Sequence, residues 1–314
     1  MARYIVKRIL FSIPILLVVL TLIFLLVRAM PGGPAMAALG DYASKEAVQS
    51  LEKEMGLDAP LWIQYFRYLN GLLRGDLGKS MITSTPIGPQ ILYALPFTLE
   101  LTVTAIVFGV IFGIPLGILA AIRRNTFFDY IGRTFSLAGV SIPSFYLGVL
   151  MMLLFSIKLN LFPVLGGGDI GKFSDSLQHL FLPSITLGLM MTAYITRTTR
   201  SSMLNVLQEE YIRTARAKGM RERFVIYGHA LRNALIPIIS FIGVYAVVLI
   251  GGSVLVEIVF SRPGLGKMMI GAINERDYIT LQSVMVVYGV LVVGINLLTD
   301  LSYGLVDPRI RHEG

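Results

Sequence analysis

Residues 208–237 read QEEYIRTARAKGMRERFVIYGHALRNALIP, a polar and strongly basic stretch set between two long apolar runs. Its patterning is helical and is broken once, at Gly219. A soluble segment enclosed by membrane-length runs marks the chain as a polytopic membrane protein that holds something out of the bilayer.

Composition agrees. The chain has 314 residues, 55% of them hydrophobic and only 15% charged, with a mean hydropathy of +0.73. A soluble domain carries roughly a quarter charged residues. The formal net charge of +8 would suit nucleic acid, but the cations sit beside apolar runs in the pattern that sets membrane topology, so no nucleic-acid partner is expected. There is no cysteine, and His179, His229 and His312 are too scattered to make a ligand set, so no metal site is expected.

Working outward, the apolar runs predict six spans: 9–28, then Phe97–Ile122, Thr134–Ile157, Leu180–Thr199, Leu235–Phe260 and Ser283–Leu305. The first could also be a signal peptide, since Ala35-Met36-Ala37 resembles a cleavage site, but a run of about 19 residues exceeds a signal core of about 7 to 15. Pro115, Pro143, Pro183 and Pro237 fall inside spans and predict kinks. Residues 29–96 form a polar interval that opens with Pro31-Gly32-Gly33-Pro34. It contains a short amphipathic helix, Ser44–Met55, capped by Ser44, and then an aromatic cluster, Trp62, Tyr65, Phe66 and Tyr68.

Lysine and arginine counts set the orientation. With the N-terminus inside, 16 of the 27 cations face the cytoplasm and 5 lie in the short outer loops, the long 29–96 segment, counted with Arg28, holding the other 6. The expected organisation is a cytoplasmic tail at 1–8, a first span at 9–28, an extracytoplasmic segment at 29–96, a membrane core at 97–305 that includes a cytoplasmic region at 200–234, and a cytoplasmic tail at 306–314.

Within the cytoplasmic region, Ser201 or Ser202 can cap a helix running to Lys218, where Gly219 supplies a stop. Leu204, Leu207, Tyr211 and Ala215 would share one face, and a second helix would align Met220, Phe224, Tyr227 and Leu231. Such a helix-glycine-helix with apolar teeth and a cationic rim suits either an anionic lipid surface or a groove on a cytoplasmic partner.

TARAKG followed by HALRNALIP resembles the cytoplasmic signature of permease subunits of ATP-binding-cassette importers, in their dipeptide and oligopeptide variant. The resemblance extends over nearly the whole chain, through YIVKRILFSIP, GLDAPLWIQYFRYLNGLLRGDLGKS, TRSSMLNVLQEEYIRTARAKGM, VFSRPGLGKMMIGAINERDY and DLSYGLVDPRIR. It implies an all-α type I permease fold with six transmembrane helices. It also implies a second homologous permease, two cytoplasmic ATP-binding subunits that hold ATP and Mg, and an extracytoplasmic substrate-binding protein. The cargo implied is a di- or oligopeptide, with glutathione, nickel chelates and oligosaccharides as alternatives, and the location is the bacterial inner membrane.

The resemblance further makes Glu209, Glu210, Tyr211, Arg213, Thr214, Ala215, Arg216, Ala217, Lys218 and Gly219 the coupling helix that contacts the ATPase. The general motif's Glu-Ala-Ala triplet is here Arg213, Thr214 and Ala215, and its closing proline position holds Arg232.

Catalytic motifs are missing. Ser261–Met269, SRPGLGKMM, has a Gly-Lys pair without the flanking glycine and hydroxyl of an ATP loop, and neither HExxH nor GxSxG occurs. The chain is therefore expected to be no enzyme, and to bind no cofactor of its own. A secondary transporter or channel is the competing class, and its proton or ion sites would be Glu100, Glu257 and Asp300. All three sit near predicted span ends, where a snorkelling or hydrogen-bonding side chain is expected.

Overall fold

A computed structural model describes residues 2–30, 33–40, 42–169 and 171–306. Pro31 and Gly32 of the early turn, and residues 307–314 of the tail with His312, lie outside the described residues.

Helices dominate the described residues. Four have the length and composition of spans with no break: α1 (Ala2–Arg28), α5 (Ile87–Ile122), α8 (Phe173–Val206) and α12 (Tyr278–Val306). A fifth joins a widened π turn, Phe224–Ala230, to α10 (Leu231–Val259). Shorter helices are α2 (Gly33–Leu39), α3 (Lys45–Glu54), α4 (Leu61–Leu73), α9 (Glu210–Ala217) and α11 (Leu265–Asn274).

The expected third span is two helices. α6 (Phe127–Ser141) meets α7 (Ser144–Met151), which continues as a π turn to Lys158, at a bend of 102°. Pro143 opens α7, and a residue before proline is driven out of the helical region, so Ile142 is extended at φ −87°, ψ 122°. The kink expected at Pro143 is thus a full break, whereas Pro183 and Pro237 lie inside continuous helices. The other spans are longer than their apolar runs. α5 begins at Ile87 rather than 97, since Ile87, Ile91 and Ala94 bury a helical face against Leu265 and Val284.

The chain divides into two compact units. One comprises Met1–Arg8, Thr98–Arg262 and Ile295–Gly314. Its helices approach closely where side chains are small. A Cβ on Gly113 would lie 2.8 Å from Ile195 Cβ, and one on Gly117 would lie 2.5 Å from Thr199 Cβ. Gly109 is equally close to Met191, so three glycines spaced four apart on α5 receive three larger residues spaced four apart on α8. Gly139 of α6 admits Ala193 in the same way.

The other unit comprises Ile9–Phe97 and Pro263–Gly294. In it the 29–96 interval is no detached subdomain. The Tyr65 hydroxyl shares a 2.6 Å hydrogen bond with Thr21 of α1, and Tyr65 and Tyr68 pack on Phe24. Arg28 donates to Gln64 at 2.9 Å, and Ser283 donates to the Leu77 carbonyl at 2.6 Å. Trp62 and Phe66 face outward, so the aromatic cluster is split between packing and surface. Ser44 caps α3 as expected, its hydroxyl accepting from the Ala47 amide at 3.2 Å.

Candidate functional site

The segment between α8 and α10 is built from the bilayer outward. α8 does not stop at Thr199, because Arg200 has a partner on the next layer. Its guanidinium grips the fully buried Asp129 of α6 through Nε to Oδ1 and through Nη2 to Oδ2, while the Asn125 amide and Arg133 also donate to that carboxylate. The helix then runs to Val206 and closes at Leu207, whose amide reaches Met203 and Asn205 carbonyls.

The helix expected from Ser201 or Ser202 to Lys218 is therefore two helices. Glu209 is extended at φ −66°, ψ 147° and starts α9, a helix of 8 residues. α9 ends in a Schellman turn, with the Gly219 amide on the Arg216 carbonyl (2.9 Å) and the Met220 amide on the Ala215 carbonyl (3.4 Å). Gly219 sits at φ +74° with open space around it, so glycine is required here by conformation and not by crowding.

An 8-residue helix is too short to persist in water on its own. α9 is held by two side chains, Ile212 (0% exposed) and Ala215 (8% exposed), which join Met203, Val225, Ile226, Ala230, Ala234 and the C-terminal end of α5 at Ile118 and Ala121 in one apolar cluster. This corrects the expected faces. Leu204 and Leu207 belong to the end of α8, Tyr211 is exposed, and Ala215 points into this chain and is not offered to a partner. Ile212, absent from the expected set, is the anchor, and its i, i+3 spacing with Ala215 was the available signal.

The remaining expected residues, Glu209, Glu210, Tyr211, Arg213, Thr214, Arg216, Ala217, Lys218 and Gly219, are all exposed. Beside them Met220, Phe224 and Tyr227 are exposed too, while Val225, Ile226 and Ala230 are buried in their place. Asn233 donates to the Tyr211 hydroxyl at 2.6 Å, tying α9 to the start of α10. Arg216 and Glu222 pair at 2.7 Å across the glycine turn. The hydrogen bond from Arg216 holds the Glu222 carboxyl below its ordinary range and, in return, raises the Arg216 guanidinium. The result is a rooted knob with a basic, aromatic outer face.

The membrane carboxylates do not behave alike. Of the two expected roles Glu257 takes the hydrogen-bonding one: it is 0% exposed and accepts from Thr98 at 2.8 Å and from Ser253 at 3.3 Å. Glu100 is half exposed and receives Nη2 of Arg262 at 2.8 Å. Asp300 pairs with Arg8 at 2.8 Å. Arg262, one of the five cations expected in the short outer loops, is completely buried, and Ser261 before it lies in the left-handed region (φ +49°). No group of three or more acidic or histidine residues that could hold a metal occurs among the described residues.

Two family models match this chain. "Binding-protein-dependent transport system inner membrane component" covers residues 113–312, and the N-terminal model of the same transport-system membrane components covers residues 1–102. The glutathione transport system permease protein GsiC of Pectobacterium atrosepticum is 41% identical over 313 residues, covering 100% of both chains. The dipeptide transport system permease protein DppB of Alkalihalophilus pseudofirmus is 40% identical over 333 residues, covering 99% of this chain and 100% of that protein. Among solved structures, an inward-facing form of the MetNI methionine ABC transporter aligns with a TM-score of 0.55 at 19% identity, covering 69% of this chain and 96% of that one. At that identity the last match speaks for the fold alone.

Proposed function

Because the chain belongs to the family of inner-membrane components of binding-protein-dependent transport systems, the permease subunits of ATP-binding-cassette importers, we propose that it forms half of a path by which short peptides enter the cell. Membership implies work alongside ATPase and substrate-binding subunits. The complete assembly is this chain, one homologous permease, two ATPases and one binding protein. ATP and Mg are held by the ATPases, where hydrolysis takes place, and this chain contributes no catalytic or cofactor-binding residue. The location is the bacterial inner membrane with both termini cytoplasmic, the side to which the lysine and arginine excess points.

One observation carries the coupling reading: α9 is anchored by Ile212 and Ala215 and exposes every other residue of the expected contact set. A helix rooted in the cluster that also contains the inner ends of α5 and α8 moves when they move. Seated in an ATPase cleft, its outer face of Tyr211, Arg213, Thr214, Arg216 and Lys218 converts closure of the ATPases on ATP into a bias from inward-facing to outward-facing helices. The Arg216–Glu222 pair keeps the glycine turn closed under that load.

Peptide is the main cargo reading, and the relative named for dipeptides supports it. Glutathione, itself a modified tripeptide, is the second reading, supported by the relative named for it. The test is purification in mild detergent followed by uptake into liposomes. Co-purification of ATPases and a second permease, with uptake of a labelled dipeptide that needs both ATP and binding protein, is expected. A chain that purifies alone and moves solute without ATP would be a channel or secondary carrier.

A further inference from the structure

The surface of α5 carries an exposed stripe at helical spacing, Val103, Val107 and Ile111, and Glu100 stands at its head as the one charged member. Measured along the helix, Glu100 is about 33 Å from Ile122, the outer edge of a hydrocarbon layer about 30 Å thick when the arginines after Ile122 face inward. A carboxylate on an apolar membrane surface is costly unless it faces water or a cation. This one is 51% exposed, and the fully buried Arg262 fixes it from behind through a single 2.8 Å bond to Oε2. The guanidinium orients the group while leaving it open.

One helical turn further in, Thr104 donates to the Glu100 carbonyl at 2.6 Å and shares a 2.7 Å hydrogen bond with Ser184 of α8. Next to that bridge lies a cavity of about 350 Å³ between the α5 stripe and Leu177 and Phe181 of α8. A second cavity of about 310 Å³ shares Leu177 and Phe181 with it. Its wall is Phe162, stacked on Phe181 at 4.6 Å and 14°. The first is lined almost wholly by carbon and falls at the small end of ligand sites, roughly 300 to 1,000 Å³, while Ser174 and Gln178 also line the second.

A negative group one turn, about 5.4 Å, from an apolar cavity is the spacing of an α-ammonium from its own side chain. Resting on the peptide-importer reading above, we infer that Glu100 receives the N-terminal ammonium of a peptide at the outer mouth of this subunit, that the cavity takes the N-terminal apolar side chain, and that Arg262 positions the carboxylate. The site discriminates. Glutathione places a second carboxylate beside its amine and has no apolar side chain on that residue, so it meets like charge at Glu100 and leaves the cavity unfilled.

The test uses the assembled importer in liposomes with saturating binding protein, comparing Phe-Gly with Gly-Phe. Glu100→Gln retains the hydrogen bond to Arg262 and removes the charge. It is expected to lower uptake of both peptides about tenfold, the scale of one charge-assisted hydrogen bond, with Glu100→Asp recovering part of it. Ser184→Leu fills the cavity and is expected to lower the uptake ratio of Phe-Gly to Gly-Phe severalfold. Undiminished uptake in Glu100→Gln, or a ratio unmoved by Ser184→Leu, overturns the inference. So does loss of the second permease on purification of Glu100→Gln, which would make Glu100 a subunit contact. Failure of the peptide reading looks different: wild type would take up neither peptide.

Discussion

The anchoring of α9 is open to a direct energetic test. Ile212→Ala removes three carbons from a side chain that is 0% exposed. At about 0.8 kcal/mol per buried methylene the transfer loss is about 2.4 kcal/mol, and the cavity left behind brings the expected cost to about 3 kcal/mol, within the usual range of roughly 2 to 5 for such truncations. Because an 8-residue helix has little stability of its own, this cost falls on the equilibrium between seated and released α9, shifting it about a hundredfold. Hydrogen exchange of the chain in lipid nanodiscs reads that shift. Amides from Thr214 to Lys218 should lose about a hundredfold in protection, those of α8 between Thr186 and Thr199 should be unchanged, and coupled uptake should fall. Arg213→Ala, on the exposed face, should leave exchange unchanged and weaken ATPase association. Unaltered exchange over 214–218 in Ile212→Ala would refute the anchoring argument, and so would a loss spread across α8 and α10.

The close approach of α5 and α8 makes a second prediction. Gly117→Ala brings a methyl within 2.8 Å of the Thr196 carbonyl, a backbone atom that cannot retreat alone, and should cost about 1 to 3 kcal/mol; Gly251→Ala meets nothing within 4 Å and should be neutral or gain up to about 1 kcal/mol. Thermal denaturation in detergent checks the order of the two, and a Gly117→Ala variant as stable as Gly251→Ala would contradict it. Arg200→Ala leaves the 0% exposed Asp129 carboxylate with only Arg133 and the Asn125 amide and should destabilise by about 1 to 3 kcal/mol. The double change Asp129→Asn with Arg200→Gln should restore much of that, measured as the fraction of chain recovered folded.

Fold class was readable early because its signal is local. Apolar runs of membrane length, cations at their ends and a helix-glycine-helix pattern are properties of neighbouring residues, and so was the cap at Ser44. Span ends were harder to read. α5 starts ten residues early because Ile87, Ile91 and Ala94 find Leu265 and Val284, and α8 extends past Thr199 because Arg200 finds Asp129. Both partners are distant in sequence, and hydropathy within a window contains neither.

The same division runs through the candidate site. Sequence by itself set residues 208–237 apart as a polar, basic stretch against membrane-length apolar runs, placed a helix stop at Gly219, and carried the resemblance to importer permeases. Only tertiary structure decided which side of α9 is root and which is surface, moving Ala215 inward and bringing Ile212 into view. It also separated Glu257, sealed by Thr98 and Ser253, from Glu100, held half open by a buried arginine from a distant turn. The physical reason is common to all of these. Periodicity states that a helix has two faces, but burial is a property of what packs against it, and a charge is tolerated or exposed according to partners that chain order does not place beside it.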